Sequence, residues 1–274
     1  MSNTATVLAF DFGASSGRAI RAVYDGQNLT YEEIHRFENV PIEKDGHLCW
    51  DVETLLKEIH TAIQKAGTFD SLGFDTWGVD FGLLDADGHL LANPVHYRDA
   101  RTNGKPEQAA ACMPAEELYA HTGNQIMAIN TLFQLLALQE QEPELLQKAE
   151  QILFMPDLFA ALLGAEPVCE RSIASTSQML DPRTGQWSRE VLIAYGLKEN
   201  HFAPLVASGT VTGTLTTGAK IIAVAGHDTQ CASAAMPCAE EDAEHTAFLS
   251  CGTWSLLGTC LLYTSPSPRD RTRS

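Results

Sequence analysis

The stretch "LAFDFGASSGRAI", residues 8–20, decides how the chain is read. An apolar run ends at Asp11, small residues follow over Gly13-Ala14-Ser15-Ser16-Gly17, and a second apolar run begins. The pattern is strand, tight turn, strand, with glycine where the turn needs conformational freedom. Such a turn aligns backbone N–H groups that can nest phosphate oxygens. Asp11, at its mouth, carries the wrong charge for bare phosphate. A carboxylate there becomes useful with a divalent cation between, because Mg²⁺ binds through one or two carboxylates together with substrate phosphates. Donors plus carboxylate therefore point to a Mg-nucleotide. The alternative is a plain hairpin, its glycines shaping the turn and Asp11 capping it.

Residues 246–258, "TAFLSCGTWSLLG", repeat the pattern far along the chain: apolar strand, Gly with small hydroxyl residues, apolar strand. This weak internal repeat suggests two similar hairpins from two halves of a duplicated fold, facing one ligand. Two unrelated hairpins are the competing reading.

Between them the chain reads as α/β. Residues 29–37 alternate like a third strand. Trp50-Asp51-Val52 opens a helix with Asp51 as N-cap and Leu55, Leu56, Ile59 and Ile63 on one face. "SLGFDTWGVDFGLLDADGHLL" (71–91) reads as two strands around "DTWG" and then a hairpin. Residues 105–164 read as largely helical, with breaks near Gly123 and Pro143. "IIAVAGHDTQCASAAM" (221–236) reads as a buried strand ending at Gly226, a sharp turn and a helix.

Composition narrows the function classes. The 274 residues are 45% hydrophobic and carry a formal net charge of −17, which disfavours binding to a phosphate backbone. Nucleic-acid partners are not expected. The seven cysteines are widely spaced with no C-x-x-C, which suggests buried thiols in a reducing compartment. The N-terminus has no basic segment before a long apolar one, and no window reaches the length of a membrane span, so a cytoplasmic protein is expected. The last fifteen residues, "CLLYTSPSPRDRTRS", begin in mid-strand and bring three Arg into an Arg-poor chain. Their back-translation resembles a transposase adapter used in DNA library preparation. Residues 260–274 are therefore expected to be a non-native tail, a short disordered basic tail being the alternative.

Two further stretches offer chemistry. "AVAGHDT" (223–229) places His227, Asp228 and Thr229 where a strand turns into a helix, the edge at which open α/β sheets bind ligands. Asp228 suits a base for a sugar hydroxyl, or an N-cap, or both at once. "FDTWGVD" (74–80) offers Gly78 for close approach, Trp77 as an apolar face for a sugar ring, and Asp75 and Asp80 as acceptors; the competing reading has Trp77 in the core and the carboxylates solvated. "HYRDARTNG" (96–104) lines the same cleft or forms a surface ion-pair network. "GTLTTGAK" (213–220) imitates a Walker A loop, but its Lys falls one position late with no Ser or Thr after it.

Taken in order, "DFGASSGR", "DTWGVDF", "PVHYRD", "YRDARTNG", "MPDLF", "GHDT" and "SCGTWSLLG" resemble the FGGY carbohydrate kinase family, from about residue 6 to Thr259. The resemblance implies an α/β, actin-like ATPase (ribonuclease H-like) fold of two duplicated domains with ATP and sugar between them. It implies a complete first domain over 1–240 and the first hairpin of a truncated second domain over 241–259. It assigns ATP contacts to Ala14, Ser15, Ser16, Gly17 and Arg18, with Thr253 added from the second hairpin. Asp11 would organise Mg²⁺. Gly78, His227, Asp228 and Thr229 would contact the sugar, and Asp228 would be the catalytic proton acceptor. The implied reaction converts ATP and L-rhamnulose to ADP and L-rhamnulose 1-phosphate, in L-rhamnose catabolism. Alternatives are another FGGY sugar (L-fuculose, L-xylulose or glycerol) and a non-catalytic sugar- or nucleotide-binding protein. The missing second domain is the expected packing partner of an exposed apolar face. These residues alone are expected not to turn over ATP.

Overall fold

A computed structural model describes residues 4–237, 242, 245–251 and 255–259. The chain divides into two compact units, Met1–Asp228 and Thr229–Ser274.

The first unit is built on a six-stranded sheet. Strands β1 (Ala5–Phe12), β2 (Ser16–Tyr24) and β3 (Leu29–Glu38) form an antiparallel meander, as the alternating sequence implies. A small hairpin, β4 (Ile42–Lys44) and β5 (His47–Cys49), leads into helix α1 (Val52–Ala66). Asp51 caps α1, its Oδ1 accepting from Thr54 N at 3.2 Å, and Val52, Leu55, Ile59, Ala62 and Ala66 bury one face at helical spacing. Gly67 at φ +66° ends it and returns the chain to β6 (Ser71–Thr76), which pairs parallel with β1.

β7 (Phe81–Leu84) then pairs with β8 (Gln151–Phe154) across an excursion of four helices: α2 (Lys105–Ala109), α3 (Ala115–Thr122), α4 (Thr131–Gln141) and α5 (Pro143–Lys148). Within the largely helical stretch 105–164, residues 151–154 are a strand, because the apolar run Ile152-Leu153-Phe154 buries both faces against β7 and the core.

Helix α6 (Met155–Leu162) packs on β6. Its Phe159 stacks on Phe12 with ring centroids 4.8 Å apart, and Phe10 stacks on Phe74 at 4.9 Å. These rings form the centre of the core. Short elements follow: β9 (Cys169–Glu170), α7 (Arg171–Ala174), β10 (Leu180–Asp181), β11 (Gln186–Trp187), α8 (Arg189–Ala194) and β12 (Leu205–Val206). β13 (Thr210–Thr214) and β14 (Lys220–Ala223) complete the main sheet in the order β13-β14-β6-β1-β2-β3, with β14 parallel to β6. The antiparallel strands β1–β3 beside the parallel β6 and β14 form a ribonuclease H-like sheet, to which β13 adds a sixth, antiparallel strand at the edge. Both edge strands have one residue more than their partners at a bulge: Ile34 in β3 and Thr212 in β13.

β14 ends at Ala223, before the Gly226 expected from sequence, and only Ile221 in it is fully buried. Helix α9 (Asp228–Ala234) starts on the last residue of the first unit. In the second unit, β15 (Ala247–Cys251) and β16 (Ser255–Thr259) form the antiparallel hairpin that the repeat predicts. Thr253 and the tail 260–274 lie outside the described residues. Among the described cysteines, Cys49 and Cys169 are buried, but Cys112 and Cys251 are exposed and Cys231 is partly exposed, so the expectation of buried thiols holds for two positions only. Among the described residues no helix is long and apolar enough to cross a membrane.

Candidate active site

Parallel strands bring their carboxyl ends to one edge of a sheet, where ligands of open α/β sheets bind. β1, β6 and the segment after β14 do so here. Asp11 on β1 is register-matched to Asp75 on β6 and to Arg18 on β2. Thr76 bridges His227 in the parallel sense, and its N–H donates to the Gly226 carbonyl at 2.9 Å. The edge therefore collects Asp11, Asp75, His227 and Asp228.

The turn after β1 is braced from below. Gly13 N donates to the Ser16 carbonyl at 2.9 Å, and the buried Asn39 donates to the carbonyls of Ser15 and Gly13 at 3.0 and 2.9 Å. The N–H groups of Ala14 and Ser15 find no acceptor among the described residues and remain available to an anion. Gly17 lies over the Phe37 ring, which leaves no room for a Cβ, so its identity is set by packing. Asp11 has a counter-ion after all: Arg18 Nε and Nη2 donate to its Oδ2 at 2.8 and 2.5 Å.

Asp75 is partly buried, and its carboxyl is pushed up to about 8 by burial and by the negative charges of Asp11 and Asp228, with Arg18 opposing. Asp75 thus sits within reach of two carboxylates and one arginine. Carboxylate oxygens are the donors a hard divalent cation takes, but among the described residues these three do not bring ligand atoms within 4.8 Å of one another. Asp85, Asp87 and His89 do, on an exposed turn whose Asp85 already accepts from the backbone of Asp87 and His89.

Gly78 meets His227 closely. A Cβ at residue 78 would lie 2.9 Å from His227 Cδ2 and 3.1 Å from Thr176 Cγ2. Two residues assigned to the sugar are thereby side by side. Burial pushes the His227 imidazole below its usual value, against the pull of Asp228, whose Oδ1 lies 3.7 Å from Nδ1. The ring is neutral at physiological pH, able to donate from one nitrogen and accept at the other. Thr229 follows in the first turn of α9, in the second unit.

The competing reading of 74–80 holds for Trp77, which is 6% exposed and packs in the core on Trp50 with ring centroids 3.9 Å apart, but not for Asp80. Asp80 is fully buried: its Oδ2 accepts from Trp50 Nε1, Trp77 Nε1 and Tyr97 N at 2.7, 2.9 and 3.1 Å, and its Oδ1 from Gln134 Nε2 at 2.8 Å. It holds the loop together and has no oxygen to spare for a sugar. Asp99 caps the 3₁₀ turn 100–102 and also accepts from Leu48 N at 2.8 Å, while Arg101 Nη2 donates to Gln134 at 3.0 Å, so neither forms a surface network. A cavity of about 160 Å³ lined by His47, Phe81, Pro94, Arg101 and Leu138 contains none of the expected site residues.

Two features had no sequence signal strong enough to find them. Val79 holds φ at +70°, a strained value for a β-branched residue, and is pinned by Thr176 Oγ1 accepting from its N–H at 3.0 Å and Thr131 Oγ1 donating to its carbonyl at 2.6 Å. Tyr97 places its ring under Arg98, whose Cζ lies 5.3 Å from the centroid, and Asp228 is among the charges that act on its hydroxyl.

The model of the N-terminal domain of the FGGY family of carbohydrate kinases matches residues 6–234. The chain belongs to the FGGY family. It is 41% identical over 264 residues to a rhamnulokinase from Bacteroides thetaiotaomicron, a match covering 92% of this chain and 54% of that protein. The chain thus spans about half the length of this curated relative. Among solved structures, a carbohydrate kinase from Novosphingobium aromaticivorans superposes with a TM-score of 0.77 at 20% identity, covering 94% of this chain and 56% of that one. A gluconate kinase from Lactobacillus acidophilus gives 0.71 at 17% identity, covering 81% and 48%. Glycerol kinase of Plasmodium falciparum, solved with ADP, gives 0.67 at 16%, covering 83% and 49%. These structural likenesses establish the shared fold. The FGGY domain begins within β1 and ends on the last residue of α9.

Proposed function

We propose that this chain forms the N-terminal half of an ATP-dependent sugar kinase, with L-rhamnulose as acceptor and L-rhamnulose 1-phosphate as product, working in the cytoplasm. One observation supports this most: Asp11, Asp75 and Asp228 share one sheet edge with Arg18 and with the free amides of the β1–β2 turn. A binder of neutral sugars has no use for that cluster of acidic groups. A site for a metal-bound nucleotide and a hydroxyl nucleophile does. The rhamnulokinase likeness favours the sugar.

In this reading Asp228 accepts the C1 hydroxyl proton as the oxygen attacks the γ-phosphorus. Neutral His227 and the backbone at Gly78 orient the ketose, with Thr229 adding a hydroxyl. Ala14, Ser15, Ser16 and Gly17 offer the phosphates backbone N–H groups and hydroxyls, and Arg18 offers its charge. Thr253 would add a contact from the second hairpin. Asp11 is the residue to hold Mg²⁺, which when bound neutralises charge on the transferring phosphoryl group.

The test is ADP release from MgATP in the full-length protein that carries this chain, with L-rhamnulose, L-fuculose, L-xylulose and glycerol as acceptors. Asp228→Asn should lower turnover by about 10²–10⁴-fold and leave sugar binding in place. An unchanged rate removes Asp228 from the base role. Sugar binding with no turnover of any acceptor moves the protein to the non-catalytic binders.

A further inference from the structure

Glu170 ends β9 and is 2% exposed, yet it belongs to none of the assigned contacts. Its Oε2 accepts from Ser172 N at 2.9 Å, Ser172 Oγ at 2.6 Å and Ile173 N at 3.2 Å, which caps α7. The same oxygen accepts from the Gly226 N–H at 3.1 Å, across 56 residues of chain. Its Oε1 accepts from Ser208 Oγ at 2.6 Å. Its own N–H donates to Asp157 Oδ2 on α6 at 3.1 Å.

Capping a four-residue helix needs only a short side chain. The extra methylene of Glu170 carries the carboxylate on to the Gly226 amide and to Ser208 Oγ. That residue is fixed on its other sides too. Its carbonyl takes the Thr76 N–H at 2.9 Å, and a Cβ there would lie 2.8 Å from Pro156 Cγ and 3.3 Å from Ile173 Cβ. Gly226 immediately precedes His227 and Asp228.

We infer that Glu170 is a positioning residue for the reacting edge: its carboxylate clamps the Gly226 peptide and so sets where His227 and Asp228 present their side chains. The inference rests on the reading of Asp228 as the base that serves the sugar hydroxyl. A charge-assisted bond to a peptide N–H is roughly twice as strong as a neutral one and is directional. Without it the Gly226 N–H loses its acceptor and the peptide relaxes against its remaining hold on Thr76, which shifts His227 and Asp228. A displacement of about 1 Å at a reacting group lowers a rate by about 10²-fold.

Glu170→Asp separates the two tasks. Asp is itself a strong N-cap, so the shorter carboxylate is expected to keep the cap on α7 while drawing back from Gly226 and Ser208. Glu170→Gln keeps the length and removes the charge. The first readout is amide hydrogen exchange on the 274-residue chain. Exchange at 226–228 is expected to rise by about tenfold or more in Glu170→Asp, with residues 7–12 and 71–75 unchanged. Unchanged exchange at 226–228, or a uniform rise over the whole first unit, overturns the clamp.

The second readout is turnover in the full-length protein. Glu170→Asp is expected to lower kcat by about 30–100-fold with KM for the ketose within about threefold, and to add nothing to Asp228→Asn. Full additivity of the two substitutions overturns the action through Asp228. A protein that phosphorylates no acceptor fails the kinase reading and the positioning role with it, while the exchange result still decides whether Glu170 holds Gly226.

Discussion

Arg18 reaches across the β1–β2 ladder to Asp11, with Nη2 at 2.5 Å and Nε at 2.8 Å from the same carboxylate oxygen. The side chains are 44% and 31% exposed, so water screens the pair and its contribution to stability is about 1 kcal/mol or less. In the proposed site the pair keeps a carboxylate and a guanidinium ready at the mouth of the turn. Arg18→Gln should therefore leave the urea midpoint nearly unchanged and weaken ATP binding. Asp11→Asn should instead remove the dependence of ATP binding on Mg²⁺. Calorimetric titration with and without Mg²⁺ separates the two; a large loss of stability in Arg18→Gln would assign the pair to folding.

Asp75 makes the first unit sensitive to alkali. Its folded value of about 8 lies above the ordinary 3.8, so the protonated form is favoured by folding. That stability is full below about pH 4 and is lost as pH rises through 8, with a slope of up to about 1.4 kcal/mol per unit between. Asp157 is also held well above its usual value by burial, so the comparison must be between variants. Asp75→Asn should flatten the curve of unfolding free energy between pH 4 and 8. A slope identical to that of the unmodified chain assigns the titration to another group.

Asp80 is a folding residue. It gathers two indole N–H groups, a backbone N–H and a carboxamide, all buried. Asp80→Ala leaves those donors without an acceptor and should cost about 3–5 kcal/mol. Asp80→Asn should cost less, because the carboxamide oxygen can still accept from the two indoles and the Tyr97 N–H. Urea denaturation of both variants checks the order, and an Ala variant within about 1 kcal/mol of the unmodified chain contradicts it.

Gly78→Ala tests the sugar side. The new methyl would sit 2.9 Å from His227 and 3.1 Å from Thr176, so the imidazole must move. Sugar affinity should fall by at least about tenfold with nucleotide affinity retained, an effect of about 1.4 kcal/mol on one ligand only. Equal losses for both ligands would indicate a general distortion.

Much of this was legible before the structure. The meander, the capped α1, the strand–turn–helix at "GHDT" and the hairpin at 246–258 all follow from local patterning, where apolar period and turn residues agree. The same patterning erred where a residue's partner is remote in sequence. Asp80 looked like a solvated acceptor because Trp50 and Gln134, which consume it, lie 30 and 54 residues away. The apolar run 152–154 is ambiguous between helix and strand until β7 is in place. Val79 carries no mark in sequence of a positive φ, and Glu170 none of its hold on Gly226. Asp75 was visible only as one acceptor among several; its neighbours Asp11 and Asp228 single it out.

The bulges at Ile34 and Thr212 fall on the outer strands of the main sheet, one at each end. On β3 the bulge is joined by Glu32, Glu33 and Arg36. Bulges and edge charges spoil the straight run of peptide groups that a stray strand from another molecule needs as a template. Both edges of the sheet are interrupted in this way. In a crowded cell, where many copies are made at once, this domain resists fusing with its siblings into a shared sheet even though Leu29 and Tyr31 stand exposed along that border.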